Sequence, residues 1–177
     1  MALMEPTLGI ARTSWKFLIP LVVAVVVAAV LGWYIAAVVL AVLAAYIVYF
    51  FRDPERKTPR IPNSICSPAD GKVVSVIEVP CDQMPEGRAR RVAIFLNVFN
   101  VHVQRAPMAG RVYRVDTRRG RCMNALNEKC SEENEAVTIW MRTDFGPVGV
   151  RQLSGAIARR ILCFAKEIGR ASCRERV

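Results

Sequence analysis

Gly110-Arg-Val-Tyr-Arg-Val-Asp-Thr117 alternates with period two, setting Val112, Arg114 and Asp116 against Tyr113, Val115 and Thr117. That repeat belongs to a β-strand, whose successive side chains point to opposite faces. Similar β-branched runs flank it: Lys72-Val-Val-Ser-Val-Ile-Glu-Val79, Arg91-Val-Ala-Ile-Phe-Leu96, Ala136-Val-Thr-Ile-Trp-Met141 and Val148-Gly-Val-Arg-Gln-Leu153. Turn residues separate them at Asp70-Gly71, Pro85-Glu-Gly87, Met108-Ala-Gly110 and Gly146-Pro147. Short strands at this spacing predict a mainly β domain, a small sandwich or barrel. Residues 128–135 read as a polar loop, and residues 157–166 as a last strand or short helix.

Residues 17–51 differ in kind, with 35 consecutive positions free of charge. A continuous helix of that length would reach ~52 Å, against ~30 Å for a bilayer's hydrocarbon core. Two full spans would need ~20 residues each plus a turn. Gly32-Trp33 lies at the midpoint, where a break and an interfacial aromatic belong. The expectation is an N-terminal helical hairpin embedded in the membrane, both ends cytoplasmic, with a single tilted span as the alternative. Basic residues on both flanks fit the hairpin's orientation. The organisation expected is an arm (1–16), the hairpin (17–51), a β domain (52–166) entered through the proline-rich Arg52-Asp-Pro-Glu-Arg-Lys-Thr-Pro-Arg-Ile-Pro62, and a tail (167–177).

Net charge is +10, and residues 52–166 carry 20 basic against 12 acidic side chains. Beside a membrane segment such a surplus suits an anionic lipid surface. No nucleic-acid recognition motif accompanies it, so nucleic acid is not expected as a partner. The six cysteines form no C-x-x-C pair and no Cys/His ligand spacing, so reduced thiols and no metal are expected.

His102, the only histidine, sits in Phe95-Leu-Asn-Val-Phe-Asn-Val-His-Val-Gln-Arg-Ala-Pro107, which reads as an apolar strand. Taken alone it fits a satisfied core residue as well as a proton-transfer group. Asp70, in Ser67-Pro-Ala-Asp-Gly71, fits plain turn chemistry as well as a catalytic acid. Arg105 fits a surface strand position or a clamp for phosphate or carboxylate. Asn134-Glu135 reads as facing water, and Gly149 and Gly155 as bends or close backbone approaches.

In this order, Phe50-Phe-Arg-Asp-Pro-Glu-Arg56, the Ala-Asp-Gly turn, the Asn-x-His run, Asn134-Glu135 and Gly149-Val-Arg-Gln-Leu-Ser-Gly155 resemble the short bacterial form of the phosphatidylserine decarboxylase family. The resemblance runs from about residue 20 to 166, with Ala136 where the family usually has Arg. It implies a self-processing proenzyme of the bacterial inner membrane, its catalytic domain facing the cytoplasm. A Ser after a Gly is cleaved to give β and α chains, and that Ser becomes a covalent pyruvoyl (pyruvate) cofactor. The pyruvoyl carbonyl then takes up the amine of the membrane phospholipid substrate and acts as electron sink while carbon dioxide leaves. By motif, Asp70 and His102 assist the cleavage, with Asp holding the imidazole and His serving as base. Asn100 and Arg105 are candidates for holding substrate, and a homodimer is compatible with the resemblance.

The Phe-Gly-Ser run that the resemblance calls for is not found. Glu167-Ile-Gly-Arg-Ala-Ser-Cys-Arg-Glu-Arg-Val177 instead matches, across all eleven residues, the in-frame translation of a short-read sequencing adapter. The expectation is that natural sequence ends near Lys166, that the tail forms no strand, and that this chain is inactive with an exposed sheet edge. Two other readings remain: a membrane-tethered, lipoyl-like binding module with Lys72 at a turn, and a hydrolase using Ser154 with His102 and Asp70. Lys72 begins a strand, and no Gly-x-Ser-x-Gly elbow surrounds Ser154.

Overall fold

The computed structural model describes residues 9–56, 64–124, 129–165 and, as backbone, 170–171. Most of the proline-rich connector, the start of the polar loop, the beginning of the arm and the rest of the tail lie outside the described residues. The chain divides into a helical unit (residues 1–56 with 98–103) and a β unit (residues 57–97 with 104–177).

In the helical unit a 3-10 turn, Arg12–Ser14, leads into α1 (Trp15–Val30), followed by α2 (Tyr34–Phe50). The break falls at Gly32, as its sequence position predicts, so the apolar run is two helices and not one continuous helix. Gly32 takes φ +75°, a left-handed conformation open to glycine at little cost. Its N–H donates to Ala29 O at 3.1 Å and that of Trp33 to Ala28 O at 2.8 Å, the paired bonds of a Schellman stop. The helices pack through small residues, burying Ala28 and Ala37. Large apolar side chains such as Val30, Tyr34 and Ile35 remain exposed. At ~1.5 Å per residue each helix is ~24–26 Å long, and among the described residues no helix is long and apolar enough to cross a membrane.

The β unit holds two antiparallel sheets. β1 (Lys72–Pro80) pairs with β2 (Arg88–Phe95) across the Pro85-Glu-Gly87 turn. The second sheet has the order β5-β4-β3-β6, from β3 (Gly110–Arg118), β4 (Ala136–Thr143), β5 (Gly146–Leu153) and β6 (Arg170–Ala171). The expected strands are present, but no barrel closes among the described residues. The only helix in this unit there is α3 (Cys130–Glu133).

The alternation read from 112 to 117 is broken by a bulge between Val112 and Arg114. Val112 pairs with Met141 and Arg114 with Trp140, so these two residues fall on opposite faces, not on the same one. One face then gathers Val112, Val137, Ile139, Met141 and Val150 into the core, with Ala106 beside them. Residues 161–165 form neither helix nor strand, but Ile161, Cys163 and Ala165 pack on this core. They keep a strand's alternation without a ladder.

Two further expectations change. The tail contributes β6, whose backbone pairs with β3 at Gly110 and Arg111; beyond Arg111, that side of β3 has no partner strand among the described residues. The run from Phe95 to Pro107 is not a strand, since β2 ends at Phe95. Residues 98–103 instead belong to the helical unit, where their carbonyls accept from side chains rather than from a neighbouring strand.

Candidate functional site

α2 ends on the aromatics Tyr49 and Phe50, with Phe51 and the cation Arg52 directly after it, and the segment 98–103 lies on these residues. Arg52 holds it: one guanidinium nitrogen donates to Phe99 O at 2.7 Å and the other to Tyr49 O at 2.8 Å. The guanidinium also sits 3.9 Å above the Tyr49 ring, a cation–π contact. Tyr49 OH donates to the same Phe99 carbonyl at 3.3 Å, and Arg56 to Val103 O at 3.4 Å.

Inside this segment His102 stacks on Phe50, ring centroids 4.3 Å apart with 26° between the planes. Its Nδ1 lies 3.0 Å from Asn100 O. A carbonyl only accepts, so Nδ1 carries the proton and Nε2 is the basic nitrogen. Burial lowers the His102 pKa, the Asn100 bond opposes that, and the Arg52 cation lowers it further. The imidazole is thus kept neutral, with one nitrogen fixed as donor and the other ready to take a proton.

Asp70 lies in the β unit, exposed, in a bend closed by Ser67, whose Oγ donates to Ala69 O at 2.7 Å. An added Cβ on Gly71 would overlap Phe95 O and come within 2.7 Å of the Ile94 side chain, so this corner requires glycine. Arg105 is buried, and its N–H donates to Pro68 O at 3.0 Å, while Cys66 N–H donates to Pro107 O at 2.8 Å. Chain 105–107 therefore braces the Asp70 turn. Arg105 is not the exposed strand residue that its position suggested. His102 and Asn100 come together in the helical unit, whereas Asp70 and Arg105 belong to the β unit.

Asn134 departs from expectation: it is fully buried, not facing water. Its Nδ2 donates to Met123 O and Ser154 O, and its Oδ1 accepts from Met123 N–H, all at 2.9 Å. Ser154, 2% exposed, donates through Oγ to Arg121 O at 3.2 Å. A buried hydroxyl committed to a carbonyl is placed as a structural tie, which disfavours Ser154 as a nucleophile. Gly149 fits its reading, because an added Cβ would meet the Trp140 ring at 2.7 Å; Gly155 has open space around it. The five described cysteines are free thiols, and no cluster of three or more potential ligands for a metal occurs among the described residues.

Phe50 and Arg52 were not assigned a role from sequence. The signal was present in Phe50-Phe-Arg-Asp-Pro54, an aromatic–cation run closing an apolar helix.

The family model for phosphatidylserine decarboxylase matches residues 43–175, which takes in Phe50, Arg52, Asp70, His102 and Asn134. A phosphatidylserine decarboxylase proenzyme of Magnetococcus marinus is 38% identical over 166 residues, 93% of this chain and 76% of that protein. One from Rhodopirellula baltica is 41% identical over 156 residues, 85% of this chain and 64% of that protein. The family is one of enzymes, lyases named for removing the carboxyl group of phosphatidylserine, and this chain belongs to it.

Proposed function

We propose that this chain serves the decarboxylation of phosphatidylserine to phosphatidylethanolamine at the bacterial inner membrane, as part of a self-processing proenzyme. The observation that carries the reading is the 3.0 Å contact of His102 Nδ1 with Asn100 O, from which the tautomer follows. With Nδ1–H given to Asn100 O and the ring held neutral over Phe50, Nε2 is the base that a serine hydroxyl needs during self-cleavage. Asp70 contributes a carboxylate from a rigid, glycine-dependent turn. Asn100 and Arg105 are retained as substrate candidates, Asn100 two residues before His102 and Arg105 through its cation. The apolar hairpin, with its side chains exposed and its helices shorter than a bilayer core, suits a dip into the membrane that returns both ends to the cytoplasmic side.

A pyruvoyl group would supply the electron sink for loss of carbon dioxide. The residues present do not fit its formation, because no serine follows a glycine in the 177 residues and Ser154 is buried against Arg121 O. The chain by itself is therefore expected to remain uncut and inactive.

The test joins residues 1–166 to a family segment bearing the Phe-Gly-Ser run and follows self-cleavage on denaturing gels and phosphatidylethanolamine formation in vesicles. Cleavage that is lost in His102→Ala supports the reading. Unimpaired cleavage in that variant, or none with His102 and Asp70 intact, would sink it.

A further inference from the structure

The bulge that sends Val112 inward has a counterpart on the other face of the same sheet. Pairing places Arg111 opposite Arg142, Arg114 opposite Trp140, Asp116 opposite Thr138, and Arg118 opposite Ala136. On the other side of β4, Arg142 faces Pro147, Trp140 faces Gly149, and Thr138 faces Arg151. Cross-strand partners share a face. This face therefore carries Arg111, Arg114, Arg118, Arg142 and Arg151 with Asp116 as its one carboxylate, and all five arginines are exposed. Asp116 is already engaged, by Arg114 Nε at 2.7 Å and Trp140 Nε1 at 3.0 Å. Arg118 and Arg151 both donate to Ser131 O, at 3.0 and 2.6 Å, which crowds two cations at one carbonyl. Partial desolvation and the neighbouring Arg118 and Arg91 lower the Arg151 pKa. Like charges brought together in this way cost stability unless an anion joins them.

We propose that this arginine face of β3–β4–β5 is a docking surface for an anionic lipid bilayer. Charge complementarity selects a polyanionic partner, and the apolar rim selects lipid among polyanions. Phe145, at the tip between β4 and β5, is 60% exposed, and Leu153 is exposed at the far end of β5. An aromatic tip with the Arg142–Arg111 pair behind it, and the exposed Asp144 as the one acid beside it, suits the headgroup boundary. Arg111, Val112, Tyr113 and Arg142 line a shallow cleft at the same end, with the Arg142 guanidinium 5.8 Å above the Tyr113 ring. That cleft could take one phosphate. Nucleic acid is less well served, because Trp140 has its N–H committed to Asp116 and its ring over Gly149. The inference goes beyond decarboxylation: its test reads lipid binding, so either reading can fail without the other.

The experiment measures flotation of the whole chain with phosphatidylcholine vesicles, with and without phosphatidylglycerol, over a range of salt. The ratio of the two affinities removes any contribution of the helical hairpin that is blind to lipid charge. Each basic residue at an anionic surface contributes roughly fivefold, so Arg111→Gln/Arg114→Gln/Arg142→Gln should lower the ratio by about tenfold or more after screening. The matched triple Arg88→Gln/Arg90→Gln/Arg159→Gln, off this face, should leave most of it. The corresponding Arg→Lys triple on the face should also retain it, which separates loss of charge from loss of fold. Equal loss in both Gln triples would overturn the proposal, leaving net charge alone. So would a duplex oligonucleotide displacing the vesicles through the same three arginines.

Discussion

The His102 imidazole rests on Phe50, the last residue of α2, with ring centroids 4.3 Å apart. The stack covers one side of the ring and contributes to the burial that lowers its pKa. Phe50→Ala should expose that side and raise the pKa towards the ordinary histidine value. A single histidine gives a single imidazole signal, so a proton NMR titration reads the effect directly. No change would mean that burial at His102 comes from elsewhere.

Arg52 acts on the same ring in two ways, as a like charge and as the anchor of Phe99 O. Arg52→Gln removes the cation, and the His102 pKa should rise; it also weakens the tie on residues 98–103, so amide exchange there should quicken by about tenfold. Arg52→Lys should keep the electrostatic effect but not the two-pronged anchor.

The sign of the pH dependence follows from the lowered pKa. The unfolded chain takes up a proton on histidine near pH 6.5, whereas the folded chain does so only at lower pH. Stability from this group is complete above that range and declines as pH falls through it, levelling off below the folded value. His102→Asn should flatten this portion of the stability curve, measured by urea titration in detergent.

Asn134 makes three side-chain hydrogen bonds in a fully buried position. Asn134→Ala leaves both Met123 backbone groups and Ser154 O without that partner, and should cost about 3 kcal/mol. Ser154→Ala removes one bond to Arg121 O and should cost about 1 kcal/mol. In the chain extended with a processing site, Ser154→Ala should still self-cleave. Complete loss there, with folding intact, would restore the hydrolase-like reading of Ser154.

Gly120 touches the same cluster. An added Cβ would overlap Glu133 O and lie 2.5 Å from Asn134 C and 2.7 Å from Glu135 N, all backbone atoms that cannot swing away. Gly120→Ala should therefore destabilise by about 2–4 kcal/mol. Gly155→Ala, with open space around it, should be close to neutral. Thermal melts of the two variants in the same detergent provide the comparison.

Strand positions were legible because β-branched runs and turn residues agree locally, and the hairpin break was legible from one glycine in an apolar run. The path of residues 96–107 was not. Its composition is that of a strand, but its hydrogen-bond partners are Tyr49, Arg52 and Arg56, some fifty residues earlier, and no local pattern reports such partners. Asn134 was misjudged for a related reason: it sits among glutamates, yet the chain at Gly120–Met123 folds over it. Asp70 and His102 stood out as residue types, whereas the neutral tautomer of His102 depends on Asn100 O and Phe50 and needed coordinates.

Tyr113 is the extra residue at the bulge, and its effect is one of parity. A strand offers two sides, so one surplus residue reverses the side on which everything before it is displayed. Without that step Arg111 would point with Val115 into the oily interior, and Val112 would lie in water among guanidinium groups. The separation of positive charge from core in this sheet is therefore a matter of counting along the chain. The same amino acids in an unbroken register would put a cation in the core.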